Sequence, residues 1–379
     1  MTDLFLITGG AGFIGQKLTE NLLARGARVR ILDSLSPQIH GLGALVPAWA
    51  ERNGIEFIHG SVTERSDWLN ALDGATAVAH LAAETGTGQS MYEIARYNEV
   101  NSQGTALLFD ILAQSQNRSV QKVVLTSSRS VYGEGRYRCT HCGTGPCFPG
   151  ARNAEALTAA RWDPSCPQCG SALTAAPTQE ADASQPASIY AATKLAQEDL
   201  VRIACEALGI GHVILRLQNV YGEGQSLKNP YTGILSIFST KLRHGAELPL
   251  FEDGEETRDF VHVEDVAESL AGALTMREVS GAVINVGSGV GTSVREVAGL
   301  LSDALGKPRN LRVTGEFRLG DIRHNVADIT RMRDILGFTP RIGLAIGISR
   351  FARWVAGEEL PEDRLDRANA ELRERGLMG

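Results

Sequence analysis

The stretch that decides the fold is residues 4–33, LFLITGGAGFIGQKLTENLLARGARVRILD. It predicts a short apolar strand at 4–7, a glycine-rich turn at 8–15, a helix that ends near Gly26 and a second strand that ends in Asp33. Glycines in the first strand-to-helix turn let the backbone approach a pyrophosphate at the positive end of the helix. This βαβ unit therefore predicts a dinucleotide site, with tight packing alone as the other explanation of the glycines.

The acid at the end of the second strand favours NAD over NADP. The Asp33 carboxylate can accept hydrogen bonds from both hydroxyls of an adenosine ribose, and it would repel a 2′-phosphate. Arg30 lies within the strand rather than after the acid, so it is not placed to hold that phosphate. A solvated loop acid without a ligand is the alternative for Asp33.

The first half of the chain continues the alternation of strands and helices. Further strands are predicted at 55–58, 77–81, 122–126, 212–217 and 282–286, and the clearest helices at 92–115 and 190–208. Such alternation predicts an α/β fold with a doubly wound parallel sheet of the Rossmann type. We expect residues 1–217 to form the NAD-binding domain and 218–379 a smaller substrate lobe, with parts near 259–286 returning to the first domain. The charge of residues 359–379 favours a frayed end.

Composition and charge are those of a globular enzyme. Hydrophobic residues make up 43% of the chain and charged residues 21%, and the formal net charge is −7. That charge argues against nucleic-acid and membrane partners, and no apolar run reaches the roughly 18 residues of a membrane helix. Residues 4–7 are too short an apolar stretch for a signal peptide, so we expect a cytosolic protein.

Three residues indicate proton transfer. Tyr190 and Lys194 share one face of a predicted helix, and Ser128 follows the predicted strand at 122–126. A phenol normally ionises at about pH 10, but a neighbouring ammonium and an oxidised nicotinamide favour the phenolate. The Ser128 hydroxyl can hydrogen-bond the substrate oxygen that gains or loses the proton. Tyr-x-x-x-Lys alone is common, and its combination with the glycine turn makes it informative.

These segments together resemble a known family. They are residues 8–15, 80–83, 127–133, 190–194, 216–222 and 258–266, with the sequences TGGAGFIG, HLAA, SSRSVYG, YAATK, RLQNVYG and RDFVHVEDV. Their combination resembles the extended short-chain dehydrogenase/reductases, the nucleotide-sugar epimerases and dehydratases. The resemblance runs from residue 3 to about 350, interrupted by a cysteine insertion at residues 136–180.

The resemblance implies roles for individual residues. Ser128 matches the active-site Ser/Thr, Tyr190 the base, and Lys194 the residue that lowers the tyrosine pKa and holds the nicotinamide ribose. The expected cofactor contacts are Gly9, Gly12, Phe13, Ile14, Gly15, Asp33, Ser61, Val62, Leu81, Ala82, Ala83, Asn101, Ser127, Tyr190 and Lys194. For Asn101, a purely structural role is the alternative.

The expected substrate is a nucleotide sugar, held by four matched residues. Ser128 and Asn219 match polar contacts to the sugar nucleotide, and Arg258 and Arg318 match arginines that grip the diphosphate. A guanidinium fork suits phosphate oxygens, although structural salt bridges are the alternative for both arginines.

Two departures from the family pattern bear on the chemistry. Dehydratases carry Asp-Glu directly after the active-site Ser/Thr, and here those positions are Arg129 and Ser130, which argues against water elimination. Ser61 stands where the family usually has an Asp that contacts adenine, which weakens one expected cofactor contact. Epimerisation or simple oxidation–reduction is therefore favoured.

The cysteine insertion contains two Cys-x-x-Cys pairs, each followed by a glycine. The four thiolates come from Cys139, Cys142, Cys166 and Cys169. We expect them to hold a structural zinc in a ribbon-like fold, because a closed four-thiolate site leaves no open position for catalysis. Disulfides or free thiols are the alternative, and His141 and Cys147 are spare candidate ligands that we expect to be bystanders. A zinc ribbon that binds nucleic acid is a further alternative, which the few arginines of the insertion do not support.

A narrower resemblance concerns the subgroup of bacterial thymidine-diphosphate-L-rhamnose 4-epimerases. It is carried by residues 88–92, 135–139, 225–233 and 320–324. It implies an NAD-dependent nucleotide-sugar 4-epimerase, in which a transient 4-keto sugar regains its hydride on the opposite face, acting on a dTDP-6-deoxyhexose such as dTDP-L-rhamnose. A 4-ketoreductase or dehydrogenase of the same family is the alternative, and a non-catalytic NAD-sensing or nucleic-acid-binding module the remote one. Helices 92–115 and 190–207 have apolar stripes that pair in relatives, so we expect a homodimer.

Overall fold

The computed structural model describes residues 3–115, 119–143, 145–229, 231 and 233–379. The strands are β1 (Leu4–Thr8), β2 (Arg28–Asp33), β3 (Ile55–His59), β4 (Ala77–His80), β5 (Lys122–Ser128), β6 (Tyr137–Arg138), β7 (Thr174–Ala175), β8 (Gly211–Leu217), β9 (Asn219–Tyr221), β10 (Leu248–Leu250), β11 (Thr257–His262), β12 (Ala282–Val286), β13 (Gly291–Ser293), β14 (Leu311–Val313) and β15 (His324–Asn325). The α-helices are α1 (Phe13–Ala24), α2 (Pro37–His40), α3 (Arg65–Leu72), α4 (Thr87–Ser90), α5 (Ile94–Tyr97), α6 (Gly104–Gln114), α7 (Ala154–Thr158), α8 (Ile189–Leu208), α9 (Ile234–Arg243), α10 (Val263–Thr275), α11 (Val294–Ala304), α12 (Thr330–Leu336), α13 (Leu344–Gly357) and α14 (Leu365–Glu374). Two 3₁₀ helices, Ala48–Glu51 and Arg129–Tyr132, and a π-helix, Asn98–Gln103, are also present.

Seven parallel strands form the main sheet, in the order β12-β8-β5-β4-β1-β2-β3. The register pairs Phe5 with Val29 between β1 and β2, and Val124 with Val213 between β5 and β8. In this doubly wound order, ligands bind beyond the carboxyl ends of the strands, where the direction of winding reverses between β1 and β4. The predicted Rossmann-type sheet is confirmed, and β12, from the second half of the chain, is one of its edge strands.

Alternate residues of the sheet pack against helices on opposite faces. Phe5 and Ile7 join a buried cluster with Leu18 of α1 and Leu270 of α10. Leu6 points to the other face, where it joins a cluster built by α3, α6 and α8. Because both faces are buried, the strands are continuous apolar runs in the sequence.

The helix predicted at 92–115 is interrupted. It consists of α5 and α6, joined by the π-helix Asn98–Gln103. Asn101 lies in this wider turn and is fully buried, with its amide hydrogen-bonded to the backbone of Glu84 and to the hydroxyl of Thr193. The π-turn therefore serves to direct one polar side chain between the helices.

The second half builds a smaller unit over the carboxyl ends of the strands. Its small sheet contains β9, β11, β13 and β15, and α9, α11 and α13 share one buried cluster with it. α10 and β12 pack with the main sheet instead, and the division of the chain at residue 217 remains a prediction. No helix in the described ranges is long and apolar enough to cross a membrane.

The carboxyl-terminal residues form a packed helix, which corrects the expectation of a frayed end. α14 buries Leu365, Ala368 and Leu372, which follow the spacing of one helix face. After the helix, Met378 pairs with Arg318 in an antiparallel bridge. Burial of the apolar face of α14 orders this segment despite its many charged residues.

Candidate active site

A cavity of about 510 Å³ runs along the carboxyl ends of the main-sheet strands. We call the part near the glycine turn and Asp33 the cofactor end, and the part near Ser128, Tyr190 and Asn219 the sugar end. The predicted site residues that line the cavity are Gly9, Gly12, Phe13, Ile14, Gly15, Asp33, Ser61, Val62, Leu81, Ala82, Ala83, Ser127, Ser128, Tyr190, Lys194 and Asn219. The fold thus gathers residues that are distant in sequence around one space.

The glycine turn, which lines the cavity, packs closely against neighbouring backbone because it lacks side chains. Gly9 has a φ of +68°, and a Cβ there would lie 2.8 Å from the backbone nitrogen of Ala82. A Cβ at Gly15 would lie 2.7 Å from the carbonyl oxygen of Gly9. The N-cap residue Gly12 has no side chain to cap α1, so the first N–H groups of the helix face the cavity uncapped. The turn fits the pyrophosphate of a dinucleotide.

Asp33 lies beside the glycine turn at the cofactor end. Its carboxylate accepts hydrogen bonds from the backbone N–H groups of Ala11, at 2.9 Å, and Leu35, at 2.8 Å. These bonds fix the acid at the end of β2 on the cavity wall, where ribose hydroxyls would meet it. Ser61 follows the neighbouring strand, and its backbone N–H donates to Asp67 at 2.8 Å. The residues present therefore fit a dinucleotide whose ribose carries no 2′-phosphate.

Ser128 and Tyr190 meet at the sugar end. Ser128 Oγ accepts hydrogen bonds from the backbone N–H of Ser130, at 3.2 Å, and from its hydroxyl, at 3.0 Å. Burial raises the pKa of Tyr190 above its ordinary value, whereas a hydrogen bond with Ser128 and the charge of Arg129 oppose the rise. Tyr190 is therefore protonated at neutral pH in the free protein, and it requires nearby positive charge to act as a base.

Lys194 lies one turn further along α8, and its ammonium group already has partners. Nζ donates to the carbonyl oxygen of Thr126, at 2.8 Å, and to the side-chain oxygen of Gln197, at 2.9 Å. Burial lowers the pKa of Lys194 to about 7, and the negative charge of Glu198 opposes this fall. Two uncharged oxygens thus hold the Lys194 ammonium beside the cavity.

Asn101, Arg258 and Arg318 do not line the cavity. The Asn101 amide is bound to the backbone of Glu84, which follows β4, and to Thr193 of α8, which agrees with the structural alternative. Arg258 donates to three backbone carbonyl groups of the lobe. Arg318 lies over the ring of Phe251, at 4.7 Å from the ring centre, and donates to Asn369 of α14 at 2.7 Å. In the described part of the chain both arginines bind carbonyl, amide and aromatic groups rather than acids, and Arg318 Nε is buried without a hydrogen-bond partner. Their grip on a diphosphate stays a prediction.

Sequence reasoning did not single out other polar residues of the sugar end as ligands. Gln218 is 5% exposed, and among the described residues neither Nε2 nor Oε1 of its amide has a hydrogen-bond partner. Arg129 lines the same end, and Tyr231 reaches it from the lobe, held by Glu371 of α14 at 2.9 Å. A buried amide without partners costs free energy, so a polar ligand group would stabilise Gln218. The only sequence signal was that Gln218 and Arg129 lie beside matched motif residues.

The cysteines of the two Cys-x-x-Cys pairs converge. Their sulfur atoms all lie within 4.8 Å of one another, with Sγ–Sγ distances of 3.5 Å between Cys139 and Cys169 and 3.8 Å between Cys142 and Cys166. None of the four forms a disulfide bond. A tetrahedral zinc with Zn–S bonds of about 2.3 Å requires sulfur separations of about 3.8 Å. The four sulfurs therefore fit a thiolate metal site.

Two buried arginines join the cysteine insertion to the lobe by ion pairs, one of them with the half-exposed Asp163. The Arg152 side chain is 5% exposed, and it contacts Glu134 at 2.9 Å and Glu252 at 2.8 Å. Asp163, also in the insertion, contacts Arg323 of the lobe at 2.8 Å. Removal of one partner of a buried pair leaves an uncompensated charge, which costs roughly 3–5 kcal/mol. The insertion is thus built into the wall between β5 and the lobe.

Comparison with known proteins identifies the family. The family model described as the NAD dependent epimerase/dehydratase family matches residues 5–287. The chain is 40% identical over 368 residues to a dTDP-L-rhamnose 4-epimerase of Burkholderia thailandensis, covering 96% of each chain. It is 32% identical over 350 residues to a UDP-glucose 4-epimerase of Mycolicibacterium smegmatis, covering 91% of this chain and 96% of that protein. It matches the crystal structure of a Thermus thermophilus UDP-glucose 4-epimerase complex with NAD with a TM-score of 0.73 and 26% identity, over 94% of this chain and 100% of that chain. The chain belongs to the NAD-dependent epimerase/dehydratase family.

Proposed function

We propose that this protein is an NAD-dependent nucleotide-sugar 4-epimerase, with a dTDP-6-deoxyhexose such as dTDP-L-rhamnose as substrate. The observation that carries the proposal is that Ser128, Tyr190 and Lys194 line the same cavity as the glycine turn. The similarity to a dTDP-L-rhamnose 4-epimerase over 96% of both chains supports the choice of sugar and nucleoside.

The glycine turn and Asp33 would hold NAD at the cofactor end. The backbone at Gly9, Gly12 and Gly15 receives the pyrophosphate, and the Asp33 carboxylate receives the ribose hydroxyls. Ser61, Val62 and the strand-end residues after β4 complete the walls. When bound, NAD⁺ supplies reversible two-electron oxidation of the sugar carbon.

Tyr190 and Ser128 would act on the C4 hydroxyl of the sugar. The Tyr190 phenolate takes the hydroxyl proton, and Ser128 holds the same oxygen by a hydrogen bond while its bonding changes from alcohol to ketone. Lys194 would hold the ribose next to the base and add positive charge when protonated. The 4-keto sugar then turns over within the cavity, and Tyr190 returns the proton to the same oxygen after the other face of C4 has been presented.

The two residues that follow Ser128 favour epimerisation over the elimination of water from the sugar. Water loss from the sugar needs an acid and a base near its end carbon, and Arg129 and Ser130 occupy the positions where dehydratases carry Asp and Glu. A 4-ketoreductase or dehydrogenase would use the same serine and tyrosine, and it differs in releasing its cofactor at each turnover. Exchange of cofactor is therefore the property that separates the two functions.

The experiment is a panel of nucleotide sugars followed by NMR, with dTDP-L-rhamnose as the first substrate and UDP-glucose as its matched comparison. The expected result is the C4 epimer of dTDP-L-rhamnose with no net change in nicotinamide absorbance. Steady production of free NADH would identify the dehydrogenase alternative. A gel-shift screen with labelled DNA and RNA tests the remote nucleic-acid-binding alternative, for which no shift is expected.

We further propose that Cys139, Cys142, Cys166 and Cys169 hold a structural zinc. The tetrahedral spacing of the sulfurs supports this, and four thiolates leave the metal no open coordination position. The zinc would fix the cysteine insertion beside the sugar end without taking part in the reaction.

We also propose that the protein is a cytosolic homodimer that pairs through α6 and α8. These helices lie side by side, and α8 carries an apolar side chain at Ile203 that is 56% exposed. Light scattering of the purified protein measures the mass, and Ile203→Glu is expected to shift it toward the monomer.

A further inference from the structure

Arg129 occupies an unusual place for a charged residue. It follows Ser128 directly, at the start of the 3₁₀ helix Arg129–Tyr132, and lines the sugar end together with Tyr190. Its Nε donates to Asn219 Oδ1 at 2.8 Å. The neutral Asn219 amide orients the guanidinium without neutralising it.

The charge of Arg129 has no close counterion. In the described ranges no carboxylate forms an ion pair with it, and the acids that act on it, Asp321 and Glu134, do so from a distance. Burial and the positive charge of Arg258 lower the pKa of Arg129 to about 9, so the group stays protonated at neutral pH. A cation that lines a cavity without a carboxylate partner would stabilise an anion that forms nearby.

Tyr190 is the group in this cavity that becomes an anion during the proposed reaction. The groups that face it are Ser128 and Arg129 from the end of β5, Tyr97 from α5 at a ring distance of 6.5 Å, and Lys194 on its own helix. Of the two cations, Lys194 donates to a carbonyl and an amide oxygen, and burial lowers its pKa. Arg129 is the second cation at this end, and its guanidinium donates to the amide of Asn219.

We propose that Arg129 is a positioning residue for the base: held by Asn219, its guanidinium stabilises the phenolate of Tyr190 and so sets the pH range in which the protein works. This rests on the proposed function, in which Tyr190 takes and returns the C4 hydroxyl proton. It adds a second cation to the Tyr-Lys pair, at the position where dehydratases carry an acid. Electrons and atoms balance without further reactants, since Arg129 keeps its proton throughout.

The sign of the effect follows from the charges. Without the guanidinium the neutral phenol is favoured, so the pKa of Tyr190 rises and the phenolate fraction falls at every pH below it. A rise of about one pH unit lowers the phenolate fraction, and with it kcat at neutral pH, roughly tenfold. Activity lost in this way returns as the pH is raised, whereas activity lost through misfolding does not.

The test is a titration of the NAD⁺-saturated protein in which ultraviolet absorbance follows the ionisation of tyrosine. Subtracting the curve of Tyr190→Phe isolates the contribution of Tyr190. Arg129→Gln should raise the Tyr190 midpoint by about one pH unit. Arg129→Lys, which keeps the charge, should lie close to the original protein. Asn219→Asp, nearly identical in shape to the original, places a carboxylate on the guanidinium and should also raise the midpoint. The acidic limb of the pH profile of kcat/KM should shift in the same direction as the Tyr190 midpoint.

An unchanged Tyr190 midpoint in both Arg129→Gln and Asn219→Asp would overturn the proposal. So would weaker binding of dTDP in Arg129→Gln with an unmoved midpoint, because Arg129 would then be a phosphate ligand only. The titration measures the ionisation of Tyr190 without any turnover of substrate. It therefore tests the proposal even if the protein epimerises no nucleotide sugar. If Arg129→Gln does not fold, the proposal still requires a raised Tyr190 midpoint in Asn219→Asp and an unchanged one in Arg129→Lys.

Discussion

The cofactor end and the sugar end of the cavity are built in different ways. The cofactor end is made of short turns whose shape follows from adjacent residues, as at Gly9 and Gly15. The sugar end is made of side chains from distant segments, such as Tyr231 held by Glu371 and Arg129 held by Asn219. Closely packed backbone tolerates no added atoms, whereas a side-chain contact can be exchanged singly. We therefore expect changes at the cofactor end to affect every reaction of the protein, and changes at the sugar end to affect the choice of substrate.

The largest effect is expected where the two ends meet. Tyr190→Phe removes the proposed base and keeps the ring, so kcat for epimer formation should fall about 10³-fold. Tyr97→Phe, which removes a neighbouring phenol bound to the carbonyl of Thr85, is the matched control and should keep kcat within about tenfold. The NMR assay of epimers measures both. Full activity of Tyr190→Phe would remove the catalytic assignment.

The next largest effect is expected on NAD affinity. Two glycine variants distinguish close backbone packing from backbone strain as its cause. Gly9→Ala places a Cβ 2.8 Å from the nitrogen of Ala82 and at a φ of +68°, so NAD affinity should fall at least tenfold. Gly26→Ala has a similar φ of +79° with nothing within 4 Å of its Cβ, so it should cost about 1 kcal/mol of stability without changing NAD affinity. Calorimetric titration with NAD⁺ compares them. Equal losses of NAD affinity in the two variants would show that backbone strain, rather than the close contact with Ala82, lowers the affinity.

Removal of the proposed zinc is expected to affect the sugar end alone. Cys139→Ser should lose the metal, lower the melting temperature and raise KM for the nucleotide sugar roughly tenfold, with NAD affinity kept. Cys147→Ser is the control, because Cys147 lies beside the cluster but is not one of its four sulfurs. Metal analysis of both proteins should find one zinc in the control. A metal-free protein with unchanged KM would exclude a role of the insertion in shaping the sugar end.

The smallest effect is expected at the carboxyl-terminal helix. Glu371 accepts from Tyr231 at 2.9 Å and from Tyr92 at 3.4 Å, which ties α14 to the lobe and to the α4–α5 connection. Glu371→Gln weakens both bonds, so KM for the nucleotide sugar should rise about fivefold, equal to roughly 1 kcal/mol. Glu374→Gln, on the exposed face of the same helix, should change nothing. A fall in NAD affinity instead would place α14 at the cofactor end.

The sequence predicts the cofactor end better than the sugar end, for a physical reason. The glycine turn, the strand that ends in Asp33 and the Tyr190 helix depend on neighbours in the chain, and all were predicted close to their observed bounds. The contact of Arg318 with Asn369 depends on segments that meet only in the folded protein, and such tertiary contacts leave no periodic signal. The packing of α14 did leave one, because Leu365, Ala368 and Leu372 follow the spacing of one helix face, but the charge of the segment was given more weight.

The proposed mechanism is tested most directly by running the reaction on dTDP-L-rhamnose in deuterium oxide and following C4 by NMR. Transient oxidation at C4 keeps the original hydrogen on that carbon, because Tyr190 exchanges only the proton on oxygen. The expected product is therefore the C4 epimer without deuterium on the ring. Deuterium on C4 or on a neighbouring ring carbon would contradict the mechanism, because it would show that a carbon-bound proton had been removed and replaced from solvent.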